Sequence, residues 1–282
     1  MSTIIDGKKI ADNMNAETKK RVEKLVSSGI TPKLAVVLVG DNKASVTYVG
    51  KKAEAAKAVG IDFELFRFPE AISEKDLIVE VQKIQQTENL SGLIIQLPLP
   101  ENLYTPNVLN SLRPDIDVDC LTYENLGKLF IKAEYVAPPT PAAVMTVIRE
   151  LEIDLVGKNI TVVGVGSLVG KPLTIMLMNE RASVTTVNSM TQDKKQKCLN
   201  ADIIVTGVGK KDLITADMVQ PNSIIIDTGF VFENGKNYGD VDFENVAPKV
   251  AAITPTPGGI GPITVAHLLR NTVICAEKKN HL

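Results

Sequence analysis

Short apolar runs separated by longer stretches of helical period recur along most of this chain. Residues 34–39 are apolar throughout and predict a strand buried on both faces. Residues 44–59 are alanine-rich with helical spacing, and residues 63–68 alternate as a strand does, so the three together predict a β-α-β unit. Ser73, with Asp76 reaching back to it, predicts a capped helix running to about Glu88. Residues 92–97 predict another buried strand, stopped by Pro98 and Pro100. Between Leu112 and Pro141 the pattern loosens, first around residues 113–119 and then around residues 137–141, and a domain boundary fits there. Residues 141–150 predict a linking helix. The β-α alternation then restarts, with strands predicted at 160–163, 183–187, 202–206, 223–226 and 250–253, and a last helix at 263–277. The fold class expected is α/β in two domains, 1–140 plus 263–282 and 141–262, the second built on a parallel sheet.

Composition narrows the options. The chain has 282 residues, 44% hydrophobic and 23% charged, an ordinary balance for a packed globular protein. Its 31 basic and 33 acidic side chains give a net charge of −2 and are intermixed, so no sustained positive surface is offered to nucleic acid or anionic lipid. Residues 1–9 lack the pattern of a secretion signal and no apolar run approaches membrane-spanning length, which predicts a cytoplasmic protein with no membrane partner. Cys120, Cys198 and Cys275 are an odd, scattered set that suits a reducing compartment. His267 and His281 are the only histidines, so no zinc ligand set exists and no metal is expected. His267 falls in an apolar helix and reads as a core residue.

Residues 160–163 run into Gly164-Val165-Gly166-Ser167-Leu168-Val169-Gly170, followed by an apolar helical stretch. Strand, glycine turn and helix form the arrangement in which backbone N–H groups at a helix N-terminus receive a pyrophosphate. The Gly-x-Gly-x-x-x-Gly spacing is one residue longer than the usual dinucleotide fingerprint, and a tight turn that binds nothing has the same outline. The next strand ends at Val187-Asn188-Ser189 without the acid that holds the ribose of NAD. Ser189, with Lys194 and Lys195 nearby, leans towards NADP, NAD remaining open, although these lysines can equally be solvated. Residues 206–209 and 227–230 follow later strands and would line the same crevice.

Several further segments then fall into one order: Ile5-Asp6-Gly7, residues 44–52 with Tyr48 and Lys52, Gln96-Leu97-Pro98-Leu99-Pro100, Asp117-Val118-Asp119 and residues 254–264. Over nearly the whole length the chain resembles the bifunctional methylenetetrahydrofolate dehydrogenase/methenyltetrahydrofolate cyclohydrolase family. The resemblance implies an N-terminal folate-binding catalytic domain and a Rossmann-like dinucleotide domain, a cleft between them holding a tetrahydrofolate derivative, a homodimer, and a place in one-carbon metabolism. It implies that Lys52 is the principal catalytic residue, with Tyr48 beside the folate ring, Gln96 tuning the lysine and Asp119 anchoring the pterin. It assigns Ile95, Leu97, Pro257, Gly258, Gly259, Ile260 and Gly261 to the folate site, and Gly164, Val165, Gly166, Ser189 and Phe230 to the dinucleotide. The chain departs from the family at Cys120, where glycine is common, at Pro139-Thr140-Pro141 with Ala143, where Cys-Thr-Pro and a glycine are usual, and at Val165-Gly166, where many relatives have Arg-Ser.

Tyr48 and Lys52 are four residues apart on one predicted helix and therefore share a face, while Lys51 is expected to point elsewhere. A lysine titrates ordinarily near ~10.4, and burial lowers that value by favouring the neutral amine, which can then act as base and acid in turn. Asp119 offers an acceptor for the amino and ring N–H edge of a pterin. Taken singly, each of these residues also has an ordinary structural reading. A single-activity relative and a non-catalytic dinucleotide sensor remain the alternatives to the bifunctional enzyme.

Overall fold

The computed structural model describes residues 2–233 and 235–281. In chain order its elements begin β1 (Thr3–Ile4), α1 (Gly7–Ser27), β2 (Lys33–Val39), α2 (Lys43–Val59), β3 (Asp62–Phe68), α3 (Glu74–Ile84) and β4 (Leu90–Ile95). There follow α4 (Pro106–Asn110), α5 (Tyr123–Phe130), α6 (Pro139–Glu150), β5 (Asn159–Val163), α7 (Gly170–Asn179), β6 (Ser183–Val187) and α8 (Lys194–Leu199). The last are β7 (Ile203–Thr206), β8 (Ile224–Asp227), β9 (Val231–Glu233), β10 (Lys236–Tyr238), α9 (Phe243–Val246), β11 (Ala252–Ile253) and α10 (Ile260–Lys279). Two compact units result: residues 2–11 with Thr140–Thr264, and Asp12–Pro139 with residues 265–281. Residues 2–11 thus leave the unit expected for residues 1–140, because Thr3 and Ile4 pair with Ala252 and Ile253 and extend the other sheet.

The unit of residues 12–139 is built on a parallel three-stranded sheet in the order β3-β2-β4. β2 is buried along nearly its whole length, as its unbroken apolar run requires. α2 starts at Lys43 because the Asn42 side chain accepts from the Ala44 and Ser45 amides, and it ends on Gly60 at φ 85. Ser73 caps α3 and hydrogen-bonds Asp76, but the helix stops at Ile84, short of the predicted end near Glu88. Leu268, Leu269, Val273 and Ala276 of α10 join Val22, Leu34, Val36 and Val59 in one core.

The other unit carries a parallel six-stranded sheet in the order β1-β11-β8-β7-β5-β6. Sequence order runs away from β5 on both sides, to β6 and to β7, so the strand order reverses at β5 and leaves a crevice at its carboxyl end. α6 begins at Pro139 rather than Pro141, since proline fits a first helical turn. Ala143 is fully buried in it. α10 begins at Ile260, three residues before its predicted start.

α1 and α5, and the antiparallel β9–β10 pair, have no counterpart in the predicted pattern. The loop before α5 is organised by Asp117, a fully buried carboxylate. It accepts from Leu121 N at 3.1 Å, from Thr122 N and Oγ1 at 2.8 Å each, and from Asn125 Nδ2 at 3.0 Å. Asp117→Ala leaves those donors buried and unmatched, and is expected to lower the stability of this unit by about 3 kcal/mol in urea unfolding.

Candidate active site

Lys52 stands on α2, across from the end of β4. Its Nζ donates to Gln96 Oε1 at 2.9 Å. Gln96 continues the β4 line through its backbone N–H to Val37 O, and its Nε2 donates to Leu97 O at 2.6 Å. With Nε2 engaged by that carbonyl, the amide oxygen is left to face the amine. Burial lowers the Lys52 pKa, and the charge of Asp119 opposes the fall. Burial raises the Asp119 carboxyl, Lys52 draws it down and Asp117 pushes it up again. Partly removed from water, the amine and the carboxyl each move towards their uncharged forms. Burial takes the Tyr48 phenol to about 12, so it remains a protonated donor at neutral pH.

The structure therefore brings Lys52, Gln96 and Asp119 into one electrostatic group, with Tyr48 one turn before Lys52 on the same helix. Lys51 corrects an expectation: it does not point elsewhere, because its Nζ lies 6.0 Å from the Tyr48 ring centroid, as three-residue helical spacing permits. Ile95 is 1% exposed within the core, so a ligand could reach only its backbone. Leu97 is half-buried beside Gln96. Cys120 keeps a backbone that favours glycine, with φ 58 and a fully buried thiol, so its departure from the family pattern does not reroute the chain beside Asp119.

The glycine turn lies in the other unit, at the carboxyl end of β5 where the strand order reverses. A Cβ at Gly164, which has φ 99, would lie 2.8 Å from Gly207 O, and one at Gly170 would lie 1.9 Å from Gly164 O. At Gly166 a Cβ would meet nothing within 4 Å. Two glycines are thus demanded by backbone packing, and the third leaves open space beside the N-terminus of α7. That suits a pyrophosphate received by backbone N–H groups, so the residues present fit a dinucleotide. Val165, half-buried, brings no cation.

Ser189 is exposed just past β6, and Lys194 Nζ donates to its carbonyl at 2.9 Å. Lys195 is instead paired with Asp217 at 2.6 Å. Hydrogen bonds from Lys195 and Thr215 hold that carboxyl down to about 2. Phe230 is 39% exposed at the exit of β8. Pro257, Gly258, Gly259, Ile260 and Gly261 fold with this unit, Gly259 and Ile260 buried and Pro257 and Gly261 exposed at the start of α10.

Two buried carboxylates here have loop-holding roles that the sequence reading did not assign, Asp227 within the segment expected to line the crevice and Asp240 outside it. Asp227, at the end of β8, accepts from Gly229 N at 2.8 Å and Val241 N at 3.0 Å. Asp240 gathers donors from the loop after β7. The sequence signal was slight: Gly239 directly precedes Asp240, and Gly229 follows Asp227 by two residues.

Among the described residues no helix is long and apolar enough to cross a membrane. Family comparison matches residues 138–280 to the tetrahydrofolate dehydrogenase/cyclohydrolase NAD(P)-binding domain and residues 5–119 to the catalytic domain of the same family. The bifunctional protein FolD of Nautilia profundicola is 46% identical over 276 residues, 98% of this chain and 97% of that one. The crystal structure of the bifunctional enzyme FolD, a methylenetetrahydrofolate dehydrogenase/cyclohydrolase from Campylobacter jejuni, superposes with a TM-score of 0.96 at 38% identity over 100% of both chains. The Trypanosoma brucei methylenetetrahydrofolate dehydrogenase-cyclohydrolase, solved with NADP cofactor and an inhibitor, gives 0.95 at 32% identity over 100% of this chain and 99% of that one.

Burial, reinforced by the nearby Asp240 charge, pushes the Asp227 carboxyl from 3.8 up to about 6. A group that holds its proton more tightly when folded stabilises the fold while protonated, and that contribution fades as pH rises from about 4 through about 6. Asp227→Asn removes the titration. Between pH 4 and pH 7 the stability difference in urea unfolding is expected to move in favour of the variant by up to about 3 kcal/mol, and a difference independent of pH would contradict it.

Proposed function

Since this chain belongs to the tetrahydrofolate dehydrogenase/cyclohydrolase family, we propose that it oxidises 5,10-methylenetetrahydrofolate to the methenyl compound with NADP and hydrolyses that product to 10-formyltetrahydrofolate. The observation that carries the reading is the half-buried Lys52 amine, held at 2.9 Å by an amide oxygen whose own N–H is already engaged.

When bound, a nicotinamide dinucleotide would supply the hydride acceptor for the methylene carbon of the folate. The chain's residues bind and align. The turn at Gly164 and Gly166 and the first amides of α7 receive the pyrophosphate, Ser189 with Lys194 favours the 2′-phosphate, and Phe230 borders the crevice. On the folate side, Asp119 accepts from the pterin N–H edge, and Tyr48 and Leu97 lie beside the ring.

Hydride loss leaves a cationic methenyl bridge that is electrophilic without further activation. Water adds to its carbon as the neutral Lys52 amine takes a proton from that water. The same lysine returns that proton to the ring nitrogen as its bond to the former bridge carbon breaks, while the adduct's hydroxyl proton leaves to solvent as the formyl C=O forms, so one proton is released per turnover. Gln96 keeps the amine oriented through both steps.

A cytoplasmic setting belongs to the proposal, supported by three buried free cysteines. So does a homodimer, supported by the family resemblance. The near-balanced charge of −2 supports a small-molecule substrate over nucleic acid.

The test is a spectrophotometric assay with methylenetetrahydrofolate and NADP or NAD supplied separately. Cofactor reduction followed by decay of the methenyl absorbance is expected, faster with NADP. Lys52→Met is expected to lower methenyl hydrolysis by about a hundredfold or more, in line with the loss of a positioned acid-base group. Undiminished hydrolysis would exclude the assigned role. Asp119→Ala is expected to raise the folate KM by about tenfold while the NADP KM holds, the loss of a charge-assisted pair. Equal rises would contradict the pterin contact.

A further inference from the structure

Asp240 takes no part in the chemistry above, yet it is the most heavily bonded carboxylate of the dinucleotide unit. It is 0% exposed, and it follows β10 by two residues. Its side chain reaches back to the loop that leaves β7, where Oδ2 accepts from Thr206 Oγ1 at 2.7 Å and from Val208 N at 2.6 Å. Oδ1 accepts from Gly209 N and Lys210 N at 2.8 Å each. Three consecutive backbone amides curl round an anion here as they do round bound phosphates, except that the anion is the chain's own. Charge-assisted bonds at these lengths are the strong kind, and a buried carboxylate with four donors is fully matched.

The loop so held is the one against which the glycine turn rests. A Cβ at Gly164 would lie 2.8 Å from Gly207 O and 3.0 Å from Val208 Cγ2. The exit of β8 is fitted to the same carboxylate, since a Cβ at Gly229 would lie 2.2 Å from Asp240 Oδ1. The backbone carbonyl of Asp240 is engaged as well, accepting from Leu213 N at 2.7 Å and Ile214 N at 3.1 Å. A single side chain thereby fixes two of the loops bordering the β5 turn.

We infer that Asp240 is a positioning residue for the dinucleotide, its buried carboxylate holding residues 206–210 in the shape that the cofactor meets. The inference rests on the dehydrogenase reading above. Asparagine in its place keeps one acceptor oxygen and turns an N–H₂ towards amides that need an acceptor.

The test compares the full-length chain with Asp240→Asn in three readings. Amide hydrogen exchange at Val208, Gly209 and Lys210, measured without ligand, is expected to quicken by about tenfold or more, and the NADP KM to rise by about tenfold, the scale of one lost charge-assisted bond. Methenyl hydrolysis assayed without dinucleotide serves as internal reference and is expected to stay within about twofold, since that step needs no bound dinucleotide. Unchanged exchange and unchanged NADP KM would overturn the inference. A parallel fall of both activities would overturn it too, being what general damage to the fold produces. Should Asp240→Asn fail to fold, Gly229→Ala, which pushes a methyl group against the intact carboxylate, is read by the same criteria. A chain without dehydrogenase activity would count against the proposed function, and the ligand-free exchange would still decide the role of Asp240.

Discussion

An amine partly withdrawn from water is costly to keep charged, and that constraint governs the arrangement around half-buried Lys52. The cost is met by one neutral acceptor, Gln96 Oε1, and by the charge of Asp119. Neither is arbitrary. A carboxylate bonded directly to Nζ would hold the proton firmly and defeat a base, whereas a carboxamide steadies the amine without a full charge. The positions follow from the fold, since α2 and β4 are joined through the β3-β2-β4 sheet and Gln96 sits at the point where β4 stops.

Loops that leave the carboxyl ends of parallel strands face a common difficulty, because their backbone amides have lost sheet partners. This chain answers it with buried aspartates. Asp117 collects the amides and side chains of residues 121–125, Asp227 those of Gly229 and Val241, and Asp240 those of residues 206–210. Rigid loops result without bulk at the strand ends, where ligands must approach. The arrangement has a cost, visible in the raised carboxyl of Asp227 beside Asp240.

Much of this was legible in the residues, for identifiable reasons. β2 announced itself by an unbroken apolar run, β4 by a mostly apolar one predicted at 92–97 and found at Leu90–Ile95, and the glycine turn by strand and helix on either side. α1 did not, because its buried positions, Ile10, Ala11, Thr18, Val22 and Leu25, are spread among lysines and glutamates and include a threonine. The pairing of Lys52 with Gln96 spans 44 residues and has no local signature; only the family resemblance put the two together. Asp240 was illegible for the same reason, its donors being 30 to 34 residues away and nearly all backbone. The expected orientation of Lys51 failed because helical position fixes the Cα–Cβ direction, while a long side chain can still swing over a ring three residues away.

The claim on which the chemistry stands is that Lys52 carries a neutral amine far more readily than an ordinary lysine. Lysine side-chain NMR across a pH titration, with the Lys52 resonance assigned by its absence from a Lys52→Arg variant, measures this directly. The account predicts a midpoint clearly below the ordinary lysine value of 10.5 and below those of the exposed lysines in the same protein. A midpoint at or above that value would mean that the amine stays charged throughout and that another group moves the proton.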